Sequence, residues 1–282
     1  MLGMTAHLSD HPLTLVLGGT GKTGRRVAGR LAARGVPTRV ASRSGEPPFD
    51  WEDRNTWAPA LRGVGKAYIS FHPDLAAPGA AATVAAFTDL AVAQGVRHLV
   101  LLSGRGEEEA QRSEALVQAA GVDWTIVRAS WFNQNFSESF LLDGVLDGAV
   151  ALPVGDVREP FVDADDVADV AVAALSEDGH AGRLYEVTGP RLLSFADAAR
   201  EIGRAAGREV AFVPVAADDY AGGLDAAGLP PELSALFLYL FREVLDGRNA
   251  HLTDGVQQAL GRPPRDFAEY ARDAAATGVW KR

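Results

Sequence analysis

The apolar run Leu13-Thr14-Leu15-Val16-Leu17 opens directly into Gly18-Gly19-Thr20-Gly21-Lys22-Thr23-Gly24, and the segment 25–34 behind it carries apolar residues at helical spacing. A continuous Leu/Val/Thr run suits a strand buried on both faces, so the order is strand, glycine turn, helix. Gly18, Gly21 and Gly24 form a G-x-x-G-x-x-G pattern. In such a turn one glycine permits the tight bend, one lets the backbone approach a pyrophosphate, and one allows close helix–strand packing. The free N–H groups of the helix start then face phosphate, which marks Thr20, Lys22 and Thr23 with the three glycines as dinucleotide-binding candidates. The tripeptide Gly21-Lys22-Thr23 imitates the end of a Walker A loop, but that loop needs a glycine five residues earlier, where Val16 stands. A nucleotide triphosphatase is therefore rejected.

The end of the second strand, in Val36-Pro37-Thr38-Arg39-Val40-Ala41-Ser42, decides which dinucleotide is favoured. NAD sites usually place an acidic residue there to hold the ribose 2′-hydroxyl. This chain has Ser42-Arg43-Ser44. A guanidinium flanked by hydroxyls matches a 2′-phosphate, so NADP(H) is favoured over NAD(H), which stays open with Glu46 close by.

Strand and helix patterns alternate through the first two-thirds of the chain. Strands are expected near 13–17, 38–42, 67–71, 98–102, 124–128 and 184–188, and helices near 22–34, 79–95, 107–120, 165–175, 195–206 and 232–246. Asp163 and Asp165 read as caps of the helix at 165 rather than as active-site carboxylates. The fold expected is α/β, a doubly wound parallel Rossmann sheet over 12–190 with a smaller, mostly helical C-terminal substrate lobe over 191–282.

A net charge of −10 and a pI near 5.1 argue against nucleic acid and anionic membranes as partners. No apolar run reaches the roughly 18 to 20 residues of a membrane span, and the first residues lack a signal-peptide pattern, so a soluble, cytoplasmic protein is expected. Zero cysteines exclude thiolate chemistry, and six histidines show no zinc-type pairing, His7 and His11 standing in a Pro-interrupted leader. No metal is expected. A small molecule is the expected partner, and a homodimer is left open.

Six segments in order resemble the NmrA-like atypical short-chain dehydrogenases/reductases: 17–24, Ala41-Ser42-Arg43-Ser44-Gly45, Phe49-Asp50-Trp51, Leu101-Leu102-Ser103-Gly104-Arg105, 124–136 and 161–166. The resemblance spans roughly 12–275. The tail 252–267 is similar to that of a bacterial subgroup related to ergot-alkaloid reductases and found among aromatic-polyketide tailoring enzymes. The resemblance implies that Asp50 and Trp51 lie beside the adenine, and that the segment after residue 70, with Phe71 and His72, borders the ribose and nicotinamide.

One departure from that pattern bears on chemistry. Short-chain dehydrogenases typically protonate substrate with a Tyr activated by a Lys four residues later. The only lysines are Lys22, Lys66 and Lys281, none of which follows a tyrosine by four, and the corresponding helix positions hold Leu116 and Ala120. Such a chain still suits acceptors whose anion is stabilised by conjugation, such as quinones, iminium ions and conjugated enones. Ser103 and Arg105 are candidate oxyanion donors with a cofactor contact for Ser103, Asn133 and Gln134 are neutral catalytic donors, and Trp131, Phe132, Asn135 and Phe136 are candidate substrate contacts. Ser103 has the plainer reading of a helix cap, and Arg105 that of a partner for the run at 107–109. His72 could relay a proton, and 236–241 could form an aromatic lid. The alternative function is a catalytically silent NADP(H)-sensing regulator.

Overall fold

Along the central strands, side chains alternate between two cores. Leu15, Ala67, Ile69, Leu99, Leu101 and Ile126 face one, while Val16, Tyr68, Val100 and Val127 face the other. Period-two alternation with both faces buried is what a sheet sandwiched between helices demands. The computed structural model describes residues 11–281.

The chain runs β1 (Leu13–Val16), α1 (Lys22–Ala33), β2 (Thr38–Val40), α2 (Trp57–Leu61), β3 (Val64–Ile69), α3 (Ala80–Ala93), β4 (His98–Gly104), α4 (Glu108–Gln118) and β5 (Asp123–Ala129). It continues through α5 (Asn135–Glu138), α6 (Leu142–Asp147), β6 (Ala149–Leu152), β7 (Arg158–Glu159), α7 (Ala164–Ser176), β8 (Arg183–Val187), β9 (Leu193–Ser194), α8 (Phe195–Ala206) and β10 (Ala211–Pro214). It closes with α9 (Ala217–Ala226), α10 (Pro231–Tyr239), α11 (Gly255–Leu260) and α12 (Phe267–Thr277), a π-helical turn, Leu240–Val244, following α10 directly.

Six strands form one parallel sheet in the order β2-β1-β3-β4-β5-β8. Helices α2, α3 and α4 cover one face; α1, α7 and α11 cover the other. The expected doubly wound sheet is present. Its strand order reverses between β1 and β3, and a crevice outside the carboxyl ends of those strands is where such sheets bind ligands. The third strand begins three residues earlier than its hydropathy suggested, because Gly65 and Lys66 interrupt the apolar run while Lys66 Nζ reaches across to the Leu175 carbonyl at 2.7 Å.

The lobe is not a simple C-terminal unit. Its core joins Phe136, Leu141, Val145, Val150 and Leu152, from between β5 and α7, to Phe195, Ile202, Phe241, Phe267 and Trp280. Strand β6 pairs in parallel with β10, about sixty residues on, while Val256 of α11 returns to the sheet core. A single boundary at residue 190 therefore does not describe the packing. Among the described residues no helix is long and apolar enough to cross a membrane, and no cluster of three or more ligating side chains could hold a metal. His7 lies outside the described residues.

Candidate functional site

The turn after β1 is built for close approach. Gly18 has φ +61°, and its carbonyl lies 2.1 Å from where a Gly24 Cβ would stand. Any side chain at 24 would separate α1 from the turn. Gly19 N–H donates to the Ala41 carbonyl at 3.1 Å and Gly21 N–H to that of Gly18 at 2.8 Å, which fixes the loop. Helix α1 has Gly21 at its N-cap, with no side-chain cap and no acidic residue in its first turn. Its leading amides and positive dipole end are thus left for an anion. Thr20 and Gly21 are exposed at the tip; Thr23 is buried beneath it.

Beyond β2, Arg43 and Ser44 are exposed and Ser42 partly so, with the two serine hydroxyls 3.4 Å apart. No described residue pairs with the Arg43 guanidinium. An unsatisfied guanidinium beside two hydroxyls, one loop away from uncapped helix amides, fits a dinucleotide carrying a 2′-phosphate. Asp50 closes the neighbouring loop, its carboxylate accepting from Glu52 N–H at 3.0 Å. Trp51 donates to the Ser70 carbonyl at 3.2 Å and packs on Phe71, ring centroids 4.9 Å apart. Trp51, Arg54, Phe71, His72 and Thr83 line a cleft of about 490 Å³. The glycine turn, Arg43, Trp51 and His72 thus share the carboxyl edge of the sheet.

Several expected donors have other employment. Ser103 gives its proton to Glu114 Oε1 at 2.6 Å, and Glu114 is held in turn by Arg128, so Ser103 is neither a free oxyanion donor nor a cap of α4. Arg105, 3% exposed, pairs with Glu186 at 2.6 Å rather than with residues 107–109. It also donates to the Asn249 carbonyl at 3.2 Å, and its Nη2 lies 2.9 Å from His251 Nε2, which anchors the segment before α11. Gln134 joins Asp163 in capping α7: its amide donates to Asp163 Oδ1 and accepts from Ala164 N–H, both at 2.8 Å. Phe136 is buried among Phe161, Phe195 and Phe267 and offers no surface to a substrate. These four assignments are corrected to structural roles, for the common reason that their polar or aromatic groups are already satisfied inside the fold.

The other expected residues stay at the rim. Asn135 accepts from Lys22 Nζ at 3.0 Å, and burial holds the Lys22 ammonium below the usual lysine range. Asn133 is 0% exposed, yet neither atom of its amide has a partner among the described residues. Phe132 is partly buried against the sheet core, bridging Val162. Trp131 lies over the strand ends, stacked on Phe241 with centroids 5.4 Å apart at 28°, and Tyr220 meets the same Phe241 edge-on. Leu236 of α10 and Leu240 of the turn behind it pack with Ala76 of the loop after β3.

Three carboxyls were missed by reading residue types alone. Asp74, after β3, accepts from Ala76 N–H at 2.8 Å, and burial raises its pKa. Glu107, after β4, is raised well above the ordinary carboxyl range by burial and then by the charges of Asp74 and Glu114. Glu159 is 0% exposed, has one oxygen without a partner, and is pushed up to about 7, chiefly by burial. Only their neighbours, brought in by the fold, distinguish them from surface acids.

No protein-family model matches the chain. It is 34% identical over 284 residues to the (4-alkanoyl-5-oxo-2,5-dihydrofuran-3-yl)methyl phosphate reductase of Streptomyces griseus subsp. griseus, covering 93% of this chain and 98% of that one. It is 31% identical to the NAD(P)H azoreductase of Xenophilus azovorans, over 94% and 98% of the two chains, and 30% identical to the agroclavine dehydrogenase of Claviceps fusiformis, over 92% and 96%. The chain belongs to the NmrA-like atypical short-chain dehydrogenases/reductases. This NmrA-like chain also shares its fold with an NADPH-dependent quinone oxidoreductase of Escherichia coli, at TM-score 0.72 and 21% identity, covering 93% and 98%. It is an oxidoreductase of the NAD(P)H-dependent class.

Proposed function

We propose that this NmrA-like protein is an NADPH-dependent reductase of a flat, conjugated small molecule of the quinone or polycyclic aromatic type, acting in secondary-metabolite tailoring. The reduced dinucleotide supplies the hydride when bound. The observation that carries the reading is a pair of features past the carboxyl ends of the strands: uncapped helix amides after β1, with Arg43 after β2 paired to no described residue, and the Trp131–Phe241 stack, Trp131 standing just past β5. Arg43 and the glycine turn hold phosphates; Trp131 and Tyr220, partly exposed around the buried Phe241, offer faces on which a planar acceptor stacks. Phe132 and Asn133 stand beside that wall. Helix α10, packed on the loop after β3, would exclude water at that end, and holding donor against acceptor contributes about 7–11 kcal/mol to the rate. Relatives whose names include an azoreductase and a clavine dehydrogenase support an acceptor of extended conjugation.

The test is NADPH oxidation, followed at the nicotinamide absorbance, against hydroxyanthraquinones, a naphthoquinone and an azo dye, with NADH run in parallel. Acceptor-dependent loss with NADPH is expected. NADPH binding without oxidation by any acceptor would instead favour the silent dinucleotide sensor.

A further inference from the structure

The reductase reading leaves one proton unassigned, since a hydride alone leaves the acceptor as an anion and the Tyr–Lys pair that normally supplies the proton is missing. The ends of β3 and β4 offer a different group. Glu107 lies three residues beyond the end of β4, and its carboxyl folds back over Gly104, where a Cβ would stand 2.2 Å from either oxygen. Only glycine at 104 leaves room for it. The Glu107 carboxyl receives no hydrogen bond from any described residue, unlike Glu114, which Ser103 and Arg128 saturate. Asp74, on the loop after β3, is near enough for its charge to act on Glu107, and the Lys22 charge at the glycine turn acts on Asp74. On the adjacent rim after β5, the wholly buried amide of Asn133 is likewise unpartnered.

The charges around this spot are few. Lys22 is tied to Asn135, Glu138 is taken by Arg25 and Arg26, and Glu114 beside Glu107 is taken by Arg128, so one ammonium stands against two carboxyls. Two carboxylates and one ammonium in a shielded site are brought to neutrality by a single bound proton.

We propose that Glu107, paired with Asp74 opposite Lys22, is the acid that protonates the reduced acceptor, Asp74 acting as a positioning residue that keeps the proton on the pair. The inference rests on the reductase reading. The conjugated acceptor gains a hydride from the reduced dinucleotide, which leaves oxidised, and its π electrons move to the far oxygen or nitrogen. That atom takes the proton from the Glu107 O–H, the bonding pair stays on the carboxylate, and water restores the proton between turnovers. Burial and the Asp74 charge push the acid well above the ordinary carboxyl range, the direction a general acid requires.

The test uses the full chain with Glu107→Gln and Asp74→Asn. In the protein without dinucleotide, carbon-13 NMR of labelled carboxyls should show one that stays protonated at neutral pH and is lost in E107Q. With NADPH and an anthraquinone, E107Q should lower kcat by about a hundredfold while the NADPH Kd changes by less than about twofold. D74N removes a negative neighbour, so the alkaline limb of the kcat profile should move to lower pH. Wild type that reduces the quinone beside an E107Q of unchanged kcat overturns this proposal and leaves the reductase reading standing. Absence of a protonated carboxyl at neutral pH overturns it as well. Wild type that binds NADPH but leaves it unoxidised with every acceptor offered overturns the reductase reading and takes the acid role with it.

Discussion

Lys22 Nζ donates to Asn135 Oδ1 at 3.0 Å, joining the first residue of α1 to the first residue of α5 across 113 positions of sequence. The bond holds a half-buried ammonium at the rim of the dinucleotide turn without neutralising it, since an amide accepts a proton and carries no charge. Asn135→Ala leaves that ammonium without its neutral acceptor. A hydrogen bond to a charged group contributes roughly 1.5–3 kcal/mol, so the variant should lose about that much stability and bind NADPH several-fold more weakly. Denaturant unfolding and a fluorescence titration measure the two effects. An unchanged Kd would reduce the contact to a purely structural one.

Two glycines of α1 should respond in opposite directions. Gly24→Ala places a Cβ against the Gly18 carbonyl, a backbone atom that cannot yield cheaply. The cost should be about 1–3 kcal/mol of stability, with dinucleotide binding weakened because the turn itself must shift. Gly29, exposed on the same helix, has nothing within 4 Å of its Cβ position. Gly29→Ala should stabilise by up to about 1 kcal/mol through backbone entropy and leave binding unchanged.

Arg43 separates the two dinucleotides. Its guanidinium is exposed and unpaired among the described residues, so removing it frees no buried partner and should leave the thermal midpoint unaltered. Arg43→Ala should weaken NADPH by about ten- to a hundredfold, the equivalent of a charge-assisted contact, and leave NADH nearly untouched. Parallel titrations with both reduced dinucleotides check this, and equal losses for the two would remove Arg43 from the 2′-phosphate site.

What was legible in the residues was local. The apolar run at 13–17, the glycines behind it and the cap at Asp163 each signal through neighbours within a few positions, and all six strands of the main sheet were found. What was hidden depended on distant partners. Strands β6 and β10 stabilise each other only once α6 and α8 bring them together, and neither has a long apolar run of its own. Arg105 and Gln134 carry the right donors for a ligand, but Glu186, 81 residues on, and Asp163, 29 residues on, claim those donors first. Glu107 shows the converse. Within an acidic run its type suggests a solvated helix start, and only the crossing of β3 beside β4 sets Asp74 against it.

Glu159 offers the cleanest dependence on pH. It is wholly buried on β7, accepts among the described residues only from Ser130 Oγ at 3.3 Å, and is pushed up to about 7 by burial against the opposing pull of Arg105. The unfolded chain gives up this proton near the ordinary glutamate range, whereas the folded chain keeps it until about pH 7. Between those values the folded state holds more protons, so stability falls as pH rises and levels off once both states are ionised. At about 1.4 kcal/mol per pKa unit, the shift amounts to roughly 3 kcal/mol of stability lost by pH 8. Glu159→Gln keeps the shape and an acceptor for Ser130 but cannot ionise. It should therefore unfold at a higher temperature than wild type at pH 8 and match it near pH 4. A gain independent of pH would mean that packing, rather than the buried charge, limits stability at this position.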